Sequence, residues 1–186
     1  MKKIIVIGSN SFTGAHFVNE SLNNNYKVIG ISRSKEYNDV MLSYKKNKLY
    51  KNFSFNKLNL NNDLDKIIKI FDSEKPEYVV NLAAQGEVRN SWLYPDQWFQ
   101  TNCMSIIALT NELRKKKYIK KFLMVSTPEV YGSTKVEISE NHNYYPSTPY
   151  AASKAAADLH LITLFKRYNF PVVFTRTTNV HGLNQQ

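Results

Sequence analysis

Short apolar runs alternate with stretches of helical periodicity along this chain of 186 residues. Lys3–Ile7 is almost wholly apolar, a polar loop follows at Gly8–Ser11, and Thr13–Asn23 reads as a helix ended by the turn signal Asn23-Asn24-Asn25. Lys27–Ile31 is a second strand, and Phe53, Phe55, Leu58 and Leu60 mark a weaker third over Phe53–Leu60. Leu64, Ile67, Ile68 and Phe71 fall at helical spacing, with Asn62 or Asp63 as N-cap. A fourth strand at Tyr78–Leu82 leads into a long helix from about Pro95 to Lys117. A fifth at Phe122–Ser126, a helix at Thr148–Tyr168 and a sixth strand at Val172–Thr177 complete the series. Ser34–Lys51 is polar, basic and unpatterned, and is expected to be a surface excursion.

Strands that are apolar throughout are buried on both faces, and strands separated by helices pair in parallel. The expected architecture is α/β: a doubly wound parallel sheet of Rossmann type, with residues 1–186 as a single domain and no repeat or linker.

Composition narrows the function classes. A 42% hydrophobic content argues against disorder, and one cysteine, Cys103, excludes an intrachain disulfide. No apolar run approaches the ~18 residues of a membrane span. The run Ile4–Ile7 after Met1-Lys2-Lys3 is too short for a signal peptide. A cytoplasmic protein without membrane partners is expected. The net charge of +10 raises the question of nucleic acid, but only five basic residues are arginines (Arg33, Arg89, Arg114, Arg167, Arg176). The densest run, Arg114–Lys117, falls at a predicted helix C-terminus, where cations suit the dipole. A solvated lysine-rich surface is the preferred reading, with no nucleic-acid partner. His16, His142, His160 and His181 lack metal-ligand spacing, so no metal site is expected.

The first chemical signal is Gly8-Ser9-Asn10-Ser11-Phe12-Thr13-Gly14, directly after the first strand and opening the first helix. A tight turn there presents backbone N–H groups to a pyrophosphate. Gly8 supplies the turn, and Gly14 lets helix and strand pack closely. The end of the second strand, where a carboxylate would read a ribose 2′-hydroxyl, carries Gly30-Ile31-Ser32-Arg33-Ser34 instead. Arg33, with Ser32 or Ser34, suits a 2′-phosphate and leans the cofactor toward NADP rather than NAD. The alternative is that Arg33 is only a surface arginine.

The second signal is Tyr150-Ala151-Ala152-Ser153-Lys154, preceded by Ser147-Thr148-Pro149. The capping residue and proline place Tyr150 in a first helical turn, and Lys154 shares its face at i+4. A helix N-terminus and a neighbouring ammonium both favour the phenolate, so the Tyr150 pKa is expected to fall toward the range of a general base. Alone, this spacing is common. Here the fifth strand also ends in Val125-Ser126-Thr127-Pro128-Glu129, at the edge where such sheets bind ligands.

With these residues in hand, the chain resembles the extended short-chain dehydrogenase/reductases, and within them most the nucleotide-sugar 4,6-dehydratases. Gly8–Gly14, Asn81–Gln85, Ser126–Gly132, Pro146–Lys154 and Arg176–Gly182 carry the resemblance, in family order. It implies that Gly8, Ser11, Phe12, Thr13 and Gly14 hold the dinucleotide phosphates, Ser32 and Arg33 the adenosine ribose, and Asn59 and Leu60 the adenine. Leu82, Ala83 and Ala84 would line the nicotinamide side. Tyr150 would be the base on the sugar 4-hydroxyl, with Lys154 tuning it and holding the nicotinamide ribose. Thr127 would hydrogen-bond the reacting hydroxyl, and Asn102 would support the framework. Gln85, Ser126, Thr127 and Asn179 would bind a nucleotide-sugar substrate.

Glu129 separates the branches. Oxidation at C4 makes the C5 proton acidic, and a carboxylate suits its removal as the 6-hydroxyl leaves as water. Return of the hydride to C6 gives a 4-keto-6-deoxy sugar. A 4-epimerase or reductase, which needs no such base, is the alternative. Glu129 as a solvated loop carboxylate is the bland one. Departures from the family pattern include Ser11 for a glycine, Pro128 for an acidic or hydroxyl residue, and Gly86-Glu87 for a Ser-His pair. The resemblance further implies a homodimer through the two long helices and a C-terminal substrate domain largely absent from these 186 residues. On that basis the chain is expected to bind cofactor and turn over poorly, or to be a cofactor-binding remnant without turnover.

Overall fold

In the computed structural model, which describes residues 1–183 and 185, six strands form one sheet. They are β1 (Lys3–Ile7), β2 (Lys27–Ser32), β3 (Phe53–Lys57), β4 (Tyr78–Asn81), β5 (Lys121–Val125) and β6 (Val172–Thr175). Their order is β3-β2-β1-β4-β5-β6, and every neighbouring pair is parallel. The doubly wound sheet is therefore as expected: β1 has the expected bounds, β2 runs one residue further, β5 starts one residue earlier, and β3 to β6 end one to three residues sooner.

Alternation along the strands sorts the core into two layers. Ile5, Ile7, Ile29, Ile31, Val79, Phe122 and Met124 face one side. There they meet Ile67 and Phe71 of α2 (Leu64–Glu74), and Ile106, Leu109 and Leu113 of α5 (Ser105–Leu113). Leu161 and Leu164 of α6 (Pro149–Tyr168) complete that layer. Ile4, Val6, Val28 and Val80 face the other side, against Ala15, Val18 and Leu22 of α1 (Phe12–Asn23).

Two expectations need correction. The 34–51 segment is no loose excursion: Leu42 and Tyr44 are fully buried and belong to the α1 layer. The Tyr44 ring packs 4.5 Å from that of Phe53, and its hydroxyl donates to Glu36 at 2.7 Å. Two anchors without periodicity leave no helical or strand signature. The long helix is also interrupted. After α3 (Val88–Leu93) come α4 (Pro95–Phe99), a π-helical turn at Gln100–Met104, and α5, which stops at Leu113. A π turn adds a residue to the helical repeat and re-aims those within it. Here it buries Asn102 and Cys103.

Leu42→Ala tests the anchoring of the 34–51 segment. A cost of about 2–5 kcal/mol in urea denaturation is expected for a buried leucine. A change within about 0.5 kcal/mol, typical of surface substitutions, would mark the segment as an ornament.

Candidate active site

Parallel pairing brings the carboxyl ends of all six strands to one edge, where ligands of such sheets bind. Two adjoining clefts open there. The first, about 220 Å³, is lined by Gly8, Asn10, Ser11 and Phe12 after β1, and by Ser32, Arg33, Ser34 and Tyr37 after β2. Leu58, Asn59 and Leu60 after β3, Leu82–Ala84 after β4, and Thr101 close it.

Its floor is shaped by two glycines. Gly8 sits at φ +86°, and a Cβ there would lie 2.7 Å from the Ala83 nitrogen. A Cβ on Gly14 would lie 2.0 Å from the Gly8 carbonyl oxygen, so α1 can approach β1 only without a side chain. Ser11 caps α1: its hydroxyl accepts from the Gly14 N–H at 3.1 Å and donates to the Gly8 carbonyl at 2.8 Å. The remaining first-turn amides, of Phe12 and Thr13, are left for an anion. A dinucleotide pyrophosphate fits that arrangement.

The ribose end is organised differently from expectation. The Ser32 hydroxyl is buried and engaged, accepting from the Asn10 N–H at 3.2 Å and lying 3.3 Å from the Ser9 hydroxyl. The Asn10 side chain donates to the carbonyls of Ser34 and Lys35 at 3.3 and 2.9 Å. Together they tie the loop after β1 to the end of β2. Arg33 lines the cleft as an exposed cation, with Nη1 donating to Gln85 Oε1 at 3.1 Å.

The second cleft is lined by Ser126, Thr127, Pro128, Glu129, Tyr150, Thr177, Thr178 and Asn179. Thr127 caps the short turn Pro128–Tyr131 and accepts from the Glu129 N–H at 3.3 Å, which aims the Glu129 segment. Thr148 caps α6, its hydroxyl accepting from the Ala151 N–H at 3.0 Å, with Pro149 in the first turn. The structure thus brings together Thr127, Glu129, Tyr150, Ser126 and Asn179. It does not bring Gln85 there. Gln85 is gripped through its backbone by buried Asn102, which accepts from its N–H at 2.7 Å and donates to its carbonyl at 3.0 Å.

Lys154 and Tyr150 share a helical face but are not paired as expected. Lys154 is fully buried and its Nζ donates to the Val125 carbonyl at 2.7 Å. Burial lowers its pKa to about 8, with Asp158 pulling in the opposite direction. The Tyr150 phenol is accordingly raised, not lowered. Burial is the main cause and the Glu129 charge adds to it, while the Thr127 hydroxyl works the other way. The helix-face argument locates Lys154 within a turn of Tyr150 but does not fix where a four-carbon stem ends.

Sequence reasoning also missed Ser153, Asp158, Arg176 and Thr101. The Ser153 hydroxyl accepts from Asn102 Nδ2 at 3.0 Å and donates to the Tyr150 carbonyl at 2.7 Å, joining the π turn to the first turn of α6. Asn61 Nδ2 donates to Thr101 Oγ1 at 3.1 Å, fixing a wall of the first cleft. Polar residues within two long helices look like solvated faces until the partner element is known. A polar residue on a helix face otherwise apolar is the one signal available.

Comparison with known proteins agrees with this geometry. Residues 5–186 match the family described as GDP-mannose 4,6 dehydratase. Protein CapI of Staphylococcus aureus is 33% identical over 97% of this chain and 54% of its own length. The chain therefore spans about half the length of the curated relatives it matches. The dTDP-glucose 4,6-dehydratase of Bacillus anthracis, solved in complex with NAD, superposes with a TM-score of 0.84. It is 28% identical over 100% of this chain and 57% of its own. The UDP-N-acetylglucosamine 4-epimerase of Methanobrevibacter ruminantium, solved with UDP-N-acetylmuramic acid, gives 0.82 at 30% identity, over 97% and 56%. The chain belongs to the GDP-mannose 4,6-dehydratase family of extended short-chain dehydrogenase/reductases, which joins nucleotide-sugar dehydratases and epimerases.

The phenol's environment is open to direct measurement. Burial and a neighbouring carboxylate both disfavour the phenolate, so Tyr150 in the free chain should ionise above the ordinary ~10. The difference in ultraviolet absorbance between the chain and Tyr150→Phe across a pH titration isolates that group. A midpoint below 10 would contradict the geometry described.

Proposed function

We propose that the chain carries the catalytic half of a nucleotide-sugar 4,6-dehydratase, converting an NDP-hexose to its 4-keto-6-deoxy form. The observation that carries this reading is Glu129, which lines the same cleft as Thr127 and Tyr150. An epimerase needs one group at the sugar 4-hydroxyl; elimination of water needs a second base for C5, and a carboxylate next to the phenol suits that work. The similarity to a dTDP-glucose 4,6-dehydratase supports the same assignment.

The cofactor is a nicotinamide dinucleotide in the first cleft, held by the amides of Phe12 and Thr13 over the Gly8 turn, with Leu82–Ala84 along one side. Such a group would supply reversible hydride transfer to and from the sugar. Arg33 and the lack of a carboxylate at the end of β2 favour NADP over NAD. Thr127 orients the sugar 4-hydroxyl and Tyr150 accepts its proton. Because Lys154 is held at the Val125 carbonyl, Tyr150 becomes an effective base only when positive charge enters its cleft. Glu129 removes the C5 proton as the 6-hydroxyl departs as water. Asn179, at the rim, meets the nucleotide end of the substrate.

Apolar side chains exposed on the two long helical segments, Met104, Leu159 and Phe165 among them, support a homodimer through those helices. Light scattering should give twice the chain mass, and Leu159→Asp with Phe165→Asp should return the monomer. A monomer at the outset would remove this part of the proposal.

Mass spectrometry, with proton NMR to read configuration at C4, of nucleotide-hexoses incubated with the chain and NADP⁺ or NAD⁺ tests the chemistry. Loss of one water from a single sugar is expected, reduced about 10²–10⁴-fold in Glu129→Gln. An inverted hexose of unchanged mass would replace the dehydratase by an epimerase, a reading that the similarity to a 4-epimerase also supports. No change in any sugar would contradict both and leave a cofactor-binding module.

A further inference from the structure

Outside the two clefts, the most unusual feature is a charged cluster in the dry interior between β5, α6 and β6. Asp158 is fully buried on α6, one turn beyond Lys154 and on the same face. Its Oδ2 accepts from the Ser126 hydroxyl at 2.7 Å and from Arg176 Nη2 at 3.0 Å, and lies 3.4 Å from the Tyr144 hydroxyl. Its Oδ1, equally buried, has no hydrogen-bond partner among the described residues. The Arg176 guanidinium also donates to the Tyr144 hydroxyl and lies 5.2, 5.4 and 5.2 Å from the rings of Tyr131, Tyr144 and Phe174.

Lys154 presents the complementary problem. Its ammonium is fully buried, and its hydrogen bond goes to a neutral carbonyl. A buried cation without an anion nearby is costly and sheds its proton instead. Asp158 is ion-paired with Arg176 at 3.0 Å, and Lys154 lies one helical turn before it, hydrogen-bonded to Val125, the residue before Ser126, on which Asp158 rests. That carboxylate is the anion nearest to hand for a buried ammonium in a medium of low dielectric.

We propose that Asp158 is the shared counter-ion of Lys154 and Arg176, a positioning residue that keeps the Lys154 ammonium charged and locks the ends of β5 and β6 onto the catalytic helix. The charge control stands on the burial of both groups one turn apart on α6 and on their hydrogen bonds to successive residues at the end of β5; its catalytic meaning rests on the function proposed above. One consequence is local. The Ser126 proton is committed to Asp158, so Ser126 offers only lone pairs to the second cleft and cannot donate to a substrate there. Another is structural. Arg176 directly precedes Thr177, Thr178 and Asn179, so its tie to α6 sets one wall of that cleft.

The charges around the pair are few. Tyr150 lies on the same helix and faces Glu129 across the second cleft. Tyr131 and Tyr144 come from the 128–145 segment, and burial pushes the Tyr144 phenol up to about 12. The π turn packed on α6 brings only Cys103, a thiol raised by burial. Arg89 of α3 and Asp96 of α4 are exposed, and Glu112 of α5 is paired with Lys115 at 2.8 Å. None of these replaces Asp158. Burial leaves the Asp158 carboxyl raised above the ordinary carboxylate range, although Ser126, Arg176 and Lys154 each pull it down. Burial alone drives Lys154 down, and Asp158 is what opposes it.

Nitrogen-15 NMR of the lysine Nζ groups of the chain, with Lys154 assigned from Lys154→Arg, reads the titration without any substrate. The wild-type midpoint is expected near 8. Asp158→Asn should lower it by about one pH unit or more. Asp158→Glu keeps the carboxylate and should hold the midpoint near that of wild type, a rescue that a merely structural role would not give. If Asp158→Asn does not fold, Asp158→Ser, smaller and also uncharged, takes its place. A folded uncharged variant whose Lys154 midpoint stays within about 0.3 unit of wild type overturns the proposal. Failure of the sugar chemistry, by contrast, would leave this titration untouched.

Discussion

The first cleft, from which the second is hung, is placed by the parallel pairing of β1 between β2 and β4. Parallel register puts the carboxyl ends of all three strands side by side. The loops that leave them, with Gly8, Arg33 and Ala83, then face one another across a single strand width. Ile5 and Ile7 fix that register by facing one layer of the core, and Ile4 and Val6 by facing the other. A slip of one residue would exchange the two faces and separate the Gly8 turn from the Ala83 backbone on which it closes.

The second cleft is attached to this frame by polar contacts rather than by the sheet alone. Asn102, turned inward by the π turn, holds the Gln85 backbone on one side and the Ser153 hydroxyl on the other. Ser153 in turn holds the carbonyl of Tyr150. The loop after β4 and the first turn of α6 are therefore tied together. Asp158 does the same for the ends of β5 and β6. A fully satisfied buried polar network, such as that around Asn102, specifies one arrangement, whereas the Asp158 cluster keeps one carboxylate oxygen unpaired among the described residues.

Much of this was legible in the sequence, and the reasons are physical. Apolar runs such as Lys3–Ile7 and Phe122–Val125 betray strands covered on both faces, so the parallel sheet followed directly. The glycine loop and the Thr148-Pro149-Tyr150 helix start are local, and both lie where their spacing placed them. What stayed hidden depends on partners distant in sequence. Leu42 and Tyr44 form a buried anchor with no periodicity to show it. Asp158 and Arg176 pair only when α6 and β6 are brought together, and nothing local marks either as the other's partner. The expected fall of the Tyr150 pKa failed because i, i+4 spacing fixes the face and not the end of a long side chain, and Lys154 turns inward to Val125.

The central claim is that the edge formed by β3, β2, β1 and β4 is a dinucleotide site whose cation is Arg33. Calorimetric titration of the chain with NADP⁺ and with NAD⁺ tests it most directly. The account predicts saturable one-to-one binding, tighter for NADP⁺, with the difference between the two removed in Arg33→Ala. No heat of binding with either dinucleotide would contradict it.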